Sequence, residues 1–213
     1  MQGIRIIGTG MCIPEMVVSN EDYTKFVDTS DEWITTRTGI KTRHISDGSP
    51  AFLMSVESAK RALADAGIEA KDIDLILHTS VTPDYVTPSM SCILQGKIGA
   101  LNAMCIDINC ACAAFVYALD MARRYLATGD VKNVLIVSTE ILSKITDYED
   151  RSTCVLFGDG AGAAGRVGCL RRDGGRRPVF VLSGRGRNRG PYHFRAEFPD
   201  RERLYRAKVS PGL

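Results

Sequence analysis

Apolar residues recur at helical spacing in two stretches of the chain. Phe52, Val56, Ala59, Leu63 and Ala66 step by four, three, four and three, and Gly67 follows as a stop. Phe115, Leu119, Ala122 and Leu126 repeat the pattern ahead of Gly129. Shorter apolar runs have strand length. They lie at residues 3–8, 73–77, 104–109 and 134–137, and Cys154 to Phe157 lead into Gly-Asp-Gly-Ala-Gly-Ala-Ala. Ser19 and Ser30, each followed by acidic residues, predict the caps of two short helices, the second ended by Gly39. Strands alternating with helices predict an α/β layer with a largely parallel sheet. No internal repeat is evident.

Charge divides the chain. Residues 1–165 carry 14 Lys and Arg against 21 Asp and Glu, a net −7, whereas residues 166–213 carry 13 against 4, a net +9. The second segment holds twelve Arg, many Gly and Pro, and one strand-like run, Val179 to Leu182. Such a composition buries little apolar surface. The expected organisation is therefore one domain over 1–165 and an Arg-rich, disordered tail over 166–213. Arg-Gly-Arg-Asn-Arg-Gly at 185–190 has some character of a nucleic-acid contact, but no aromatic residues interleave it, so no nucleic-acid partner is expected.

The seven cysteines are odd in number and form no Cys-x-x-Cys, which argues against a disulfide framework or a zinc site. No run approaches the roughly 20 apolar residues of a membrane span. The N-terminus lacks a basic region followed by an apolar stretch, so no signal peptide is expected. The expectation is a reduced, cytoplasmic chain with no membrane partner.

Three segments carry candidate chemistry. In Asp107-Ile-Asn-Cys-Ala-Cys-Ala-Ala-Phe115 a strand ends and a helix is expected to start at Cys112, where peptide dipoles favour the thiolate, the species that attacks acyl groups. The small residues Ala111, Ala113 and Ala114 leave room for a substrate. A buried structural cysteine fits the local pattern too. Cys110 competes as a nucleophile or as half of a redox pair. In Thr29-Ser-Asp-Glu-Trp-Ile-Thr-Thr-Arg-Thr-Gly-Ile40, Trp33 and Arg37 fall on one helix face and can bracket a flat heterocycle or hold a phosphate; a plain surface pair fits equally. In Asp150 to Ala163, Arg151 is the ligand candidate, and Gly158 to Gly162 read as a structural turn beside a strand. His44 reads as solvated in a polar loop, His78 as a satisfied core histidine, and His193 as part of the basic tail. None has the local context of a general base.

Together these segments resemble the β-ketoacyl-acyl-carrier-protein synthase III family of the thiolase superfamily. The residues that carry the resemblance are Ile6 to Gly10, Asp28 to Ile34, Arg37 to Ile40, Thr82 to Tyr85, Pro88-Ser89, the Cys112 segment and Phe157 to Ala163. The resemblance implies an α/β, thiolase-like fold, as the N-terminal half of the duplicated α/β/α/β/α arrangement. It implies that Cys112 takes an acyl group from acyl-CoA and passes it to malonyl-acyl-carrier-protein with loss of carbon dioxide, the initiating condensation of fatty acid synthesis. It implies that Trp33 and Arg151 sandwich the adenine of coenzyme A, with Arg37 and Thr29 helping. It places Thr87 and Phe157 at the acyl pocket, Thr87 leaving room for a longer or branched primer. It implies a homodimer, no cofactor beyond acyl-CoA as substrate, and no metal. Cys110 departs from the family's usual small residue.

The family's catalytic His and Asn stand in His-Gln-Ala-Asn and Gly-Asn motifs of a second half, and neither motif occurs in these 213 residues. The resemblance breaks off after Ala164, which suggests a truncated or frame-shifted sequence, a poorly soluble chain and negligible condensation. Two other readings remain at this level. One is a non-enzymatic remnant, and the other is a related condensing enzyme with another primer or acceptor.

Overall fold

The computed structural model describes residues 4–169, and side-chain surroundings for residues 4–165. Residues 166–169 of the Arg-rich segment are not a tail but the end of the last described strand, paired with Ile4 to Ile6 of the first, and the rest of it, with Val179 to Leu182 and His193, lies outside the described residues. Seven strands and five helices follow in chain order. They are β1 Ile4–Cys12, β2 Met16–Ser19, α1 Asn20–Tyr23, α2 Asp31–Thr38, β3 Thr42–Ile45, α3 Ala51–Ala66, β4 Leu75–Thr79, α4 Met90–Ile98, β5 Met104–Ile108, α5 Ala114–Thr128, β6 Val134–Ile141 and β7 Asp159–Cys169.

Five strands form one sheet in the order β1-β7-β6-β4-β5, and β2 pairs with β3 separately. β4 runs parallel to β5 and β6, while β7 is antiparallel to β6 and to β1. The sheet is thus mixed, not largely parallel. The reason is β7, whose Gly-Asp-Gly-Ala-Gly-Ala-Ala sequence reads as a turn. It is an eleven-residue strand in the middle of the sheet, and the turns fall earlier, at residues 151–156.

The centre of the sheet is buried on both faces, so successive side chains of each strand enter different cores. Leu75, Leu77, Val134 and Ile136 pack with Ala118, Ala122 and Leu126 of α5. Ile76, Leu135 and Val137 pack on the other face with Ala59, Ala62 and Leu63 of α3 and Leu94 of α4. The result is three layers, α/β/α.

α3 lies directly on β1 and β7 because both strands present glycine to it. A Cβ on Gly10 would sit 2.2 Å from the Ser58 carbonyl oxygen, and one on Gly8 2.4 Å from that of Ala62. α3 begins after Pro50, which offers no side-chain cap. Asp84 supplies one from a distant loop, accepting the Ala51 and Phe52 amides at 2.9 and 2.8 Å. Asp107 does the same for α4, accepting Met90 N–H and Ser91 N–H at 2.7 and 2.9 Å.

Candidate functional site

Two clusters hold the candidate residues. The first stands on α2. Ser30 caps this helix by accepting the Trp33 amide at 3.1 Å, and Gly39 ends it in the left-handed conformation, as the sequence suggests. One turn separates Trp33 from Arg37, whose guanidinium carbon lies 4.4 Å from the indole centroid. Arg151 arrives from the 151–156 turns, 4.8 Å from the same ring, and donates to the Asp28 carbonyl at 3.0 Å. The Thr29 hydroxyl oxygen is buried with no hydrogen-bond partner among the described residues. Trp33, Arg37 and Arg151 therefore meet, although 114 positions separate Arg37 from Arg151, and Thr29 follows Asp28, whose carbonyl Arg151 holds.

What holds this cluster together is a residue that sequence reading passes over. Arg43 on β3 is buried, with no carboxylate partner among the described residues. Its guanidinium donates to the Val155 carbonyl, with Nε at 3.0 Å, and to the Asn20 side-chain oxygen, and it lies 4.6 Å over the Tyr23 ring. Asn20 in turn donates to Asp31 and to the Ile40 carbonyl, both at 2.8 Å. Arg43 and Asn20 thus tie the turn that carries Arg151 to the helix that carries Trp33. His44, expected in a solvated loop, is a half-buried strand residue whose Nδ1 lies 2.6 Å from the Pro14 carbonyl oxygen. The β2–β3 pairing draws it inward.

The second cluster surrounds Cys112. β5 ends at Ile108 and residues 109–113 are exposed. The Ala113 amide donates to the Cys110 carbonyl at 3.2 Å and closes a tight turn, in which Ala111 adopts a φ of 46°. A left-handed backbone at a non-glycine residue is uncommon and costs free energy. The α-helix does not start at the cysteine: α5 begins at Ala114, after a short 3-10 turn over Ala111–Ala113. Strand, strained turn and helix present the Cys112 side chain at the carboxyl end of a parallel strand, the usual place for a ligand in such sheets.

Other thiols are less suited. Burial pushes the Cys12, Cys105 and Cys154 thiols up, Cys105 to about 12, so they stay protonated near neutrality. Among the described residues Cys92, Cys110 and Cys112 are the exposed cysteines.

The carboxyl ends of β4 and β6 are joined by Glu140. It accepts the Val81 amide at 2.9 Å and the Thr82 hydroxyl at 2.6 Å, and Thr82 accepts the Ile141 amide at 2.9 Å. This anchors the loop that carries Thr87. Val86 and Thr87 are exposed at its tip, Val86 by 94%. A pocket of about 230 Å³ is lined by Leu142, Ile145, Thr146, Asp147, Thr153 and Phe157. Phe157 therefore lines this pocket, and Thr87 and Cys112 are not among the residues that line it. Behind them Asp159 accepts the Ser46 and Ser143 amides at 2.7 and 2.9 Å and positions the pocket's rim.

His78 is the satisfied core histidine its strand position suggests. It is 1% exposed, and its Nε2 lies 3.0 Å from the Ser55 hydroxyl, which also meets Thr139 at 2.7 Å. Burial pulls it down to about 4, although Asp107 and Asp84 raise it. The unfolded chain takes up this proton near pH 6.5 and the folded chain only near pH 4, so stability falls as pH drops through that window. We expect a loss of about 2 kcal/mol between pH 7 and pH 5 in urea unfolding, absent in His78→Gln. An equal slope in both proteins would remove His78 from this account.

Among the described residues no group of three or more His, Cys, Asp or Glu side chains could hold a metal ion. No helix is long and apolar enough to cross a membrane.

Residues 106–168 match the family description of 3-oxoacyl-[acyl-carrier-protein] synthase III. The chain is 53% identical over 163 residues to the β-ketoacyl-[acyl-carrier-protein] synthase III of Clostridium acetobutylicum, covering 76% of this chain and 50% of that protein. The solved 3-oxoacyl-[acyl-carrier-protein] synthase III of Aquifex aeolicus superposes with a TM-score of 0.75 at 46% identity, over 81% of this chain and 55% of the other. The priming β-ketosynthase of the R1128 polyketide pathway superposes equally well, TM-score 0.75, at 38% identity over 78% and 49% of the two chains. The chain spans about half the length of the curated relatives it matches.

Proposed function

We propose that this chain, which carries the N-terminal half of a β-ketoacyl-acyl-carrier-protein synthase III, supplies the acyl-accepting half of an initiating condensing enzyme. Cys112 attacks the thioester carbonyl of an acyl-CoA, coenzyme A leaves as its thiol, and the acyl group remains on the cysteine. The observation that carries this reading is the exposed Cys112 on a strained turn at the carboxyl end of β5. Thr29, Trp33, Arg37 and Arg151 take the nucleotide end of coenzyme A. Condensation with malonyl-acyl-carrier-protein then needs donors that stabilise the malonyl enolate, and the family's His and Asn motifs for this do not occur in these 213 residues. The 213-residue chain alone is accordingly expected to acylate but not to condense. A homodimer through β5 fits the position of β5 as the outer strand of the sheet, with Met104, Val116 and Tyr117 exposed beside it. The proposed setting is cytoplasmic fatty acid synthesis.

Arg151 stands 4.8 Å from the Trp33 ring, too close to admit an adenine, which needs about 7 Å between its two neighbours. Arg151 therefore swings outward when the nucleotide enters. Trp33→Ala should weaken coenzyme A binding roughly tenfold to a hundredfold by calorimetry, the usual worth of one stacked base. Unchanged affinity would dissociate Trp33 from the nucleotide.

Likeness to a priming ketosynthase of a polyketide pathway keeps a second reading in view, a condensing enzyme with another primer or acceptor. Acylation of Cys112 by acetyl-CoA and by longer or branched acyl-CoAs separates the cases. Thr87 predicts that the longer primers are accepted, and a strict acetyl preference would sink that prediction.

A further inference from the structure

We propose that Cys110 and Cys112 form an oxidative modification site, at which a hydroperoxide converts the two thiols into one intramolecular disulfide. Cys110 is the residue of this segment to which the proposed acyl transfer gives no task. Both thiols are exposed and free. They occupy the first and third positions of the turn closed by the Ala113 amide and the Cys110 carbonyl at 3.2 Å, with Ala111 between them at a φ of 46°. Two 3.8 Å virtual bonds folded at such a turn hold the flanking Cα atoms about 5.5 Å apart, inside the range a disulfide spans. An extended chain would hold them too far apart, near 7 Å. The local fold thus holds two accessible cysteines, one on each side of a single alanine, at a Cα separation that a disulfide can span.

The chemistry balances with the oxidant named. The Cys112 thiolate attacks one oxygen of the hydroperoxide, the O–O bond breaks, and an alcohol (water, from hydrogen peroxide) leaves with the proton. The sulfenic acid that results is attacked at sulfur by the Cys110 thiolate, which expels hydroxide as water. Two thiols have lost two electrons and two protons to the peroxide bond. The disulfide is reversible by a dithiol, whereas a lone sulfenic acid would go on to the irreversible sulfinic acid. Cys105 does not compete, because it is half-buried and its thiol donates to the Ser91 carbonyl at 3.5 Å. That oxidation also halts acyl transfer rests on Cys112 being the nucleophile; the cross-link itself does not.

The test is peptide mapping of the full chain after hydrogen peroxide. Cleavage before aspartate releases Asp107 to Leu119, which contains Cys110 and Cys112 and no other cysteine. The expected peptide has lost two hydrogens, resists alkylation until reduced, and forms about tenfold faster in the native chain than in concentrated urea, because the turn pre-pays the closure. In Cys110→Ser the same peptide instead gains oxygen at Cys112. The proposal is overturned if the native chain accumulates sulfinic acid at Cys112 while Cys110 stays alkylatable, or if the cross-link forms no faster folded than unfolded. Acylation by acetyl-CoA is read separately on the reduced Cys110→Ser chain. Its absence there would count against the proposed function and leave the cross-link standing.

Discussion

Cys112→Ala should abolish the proposed acyl transfer from acyl-CoA and leave the fold intact. The chain has few thiols that could substitute. Burial keeps Cys12, Cys105 and Cys154 protonated near neutrality, which among the cysteines with described side chains leaves Cys92 and Cys110 as the accessible alternatives. Cys92→Ala and Cys110→Ala should therefore retain acylation, and Cys112→Ala should show none above the uncatalysed background. Cys112 is exposed on its turn, so alanine removes no packed atoms and should change stability by less than about 0.5 kcal/mol. Serine at the same position keeps the shape but offers a hydroxyl that ionises far less readily, so it should acylate at a small fraction of the parent rate. Acylation persisting in Cys112→Ala would move the nucleophile elsewhere.

Gly10→Ala should be the most damaging single methyl added to the described chain. Its Cβ would lie 2.2 Å from the Ser58 carbonyl oxygen and 2.5 Å from the Ala62 nitrogen. Both atoms are backbone in the middle of α3, so no side chain can turn aside to make room. α3 must retreat from β1, and with it the packing of Ala59, Ala62 and Leu63 on the central strands loosens. Such overpacking costs about 3 kcal/mol, a fall in melting temperature on the order of 10 °C. Gly162, on β7, is the control. A Cβ there meets nothing within 4 Å, and no positive φ holds it, so Gly162→Ala should be nearly neutral. Equal effects at both positions would mean that helix–sheet contact does not limit stability.

These two sites show how unevenly the fold could be read from the sequence. The periodic helices α3 and α5 and the apolar strands β4 and β6 were legible because their local pattern and their burial agree. β7 was not, because it is built of glycine and alanine. Its residues are chosen for the closeness of α3 and not for strand preference, and composition alone points to a turn. α4 was also missed, since it is short and holds Gly96 within it. At the candidate site, Trp33, Arg37, Arg151 and Cys112 were legible as chemistry, and the structure joins the first three. Arg43, Glu140 and Asp84 were not, because each acts on backbone or side chains dozens of positions away, as Arg43 does on Val155. Their types and spacing carry no local signal of that contact.

The fold nevertheless explains why the site needs these distant pins. Arg151 reaches Trp33 only if the 151–156 turns are held against α2, and Arg43 with Asn20 does that. Cys112 projects only if β5 ends where it does, with Asp107 committed to capping α4.

The most direct test of the account is to incubate the reduced chain with acetyl-CoA and locate the acyl group by mass spectrometry after cleavage. The account predicts one acetyl group, on Cys112, held as a thioester that hydroxylamine removes, and released coenzyme A in equal amount. An unmodified chain, or acetyl groups spread over lysines with Cys112 free, would contradict it.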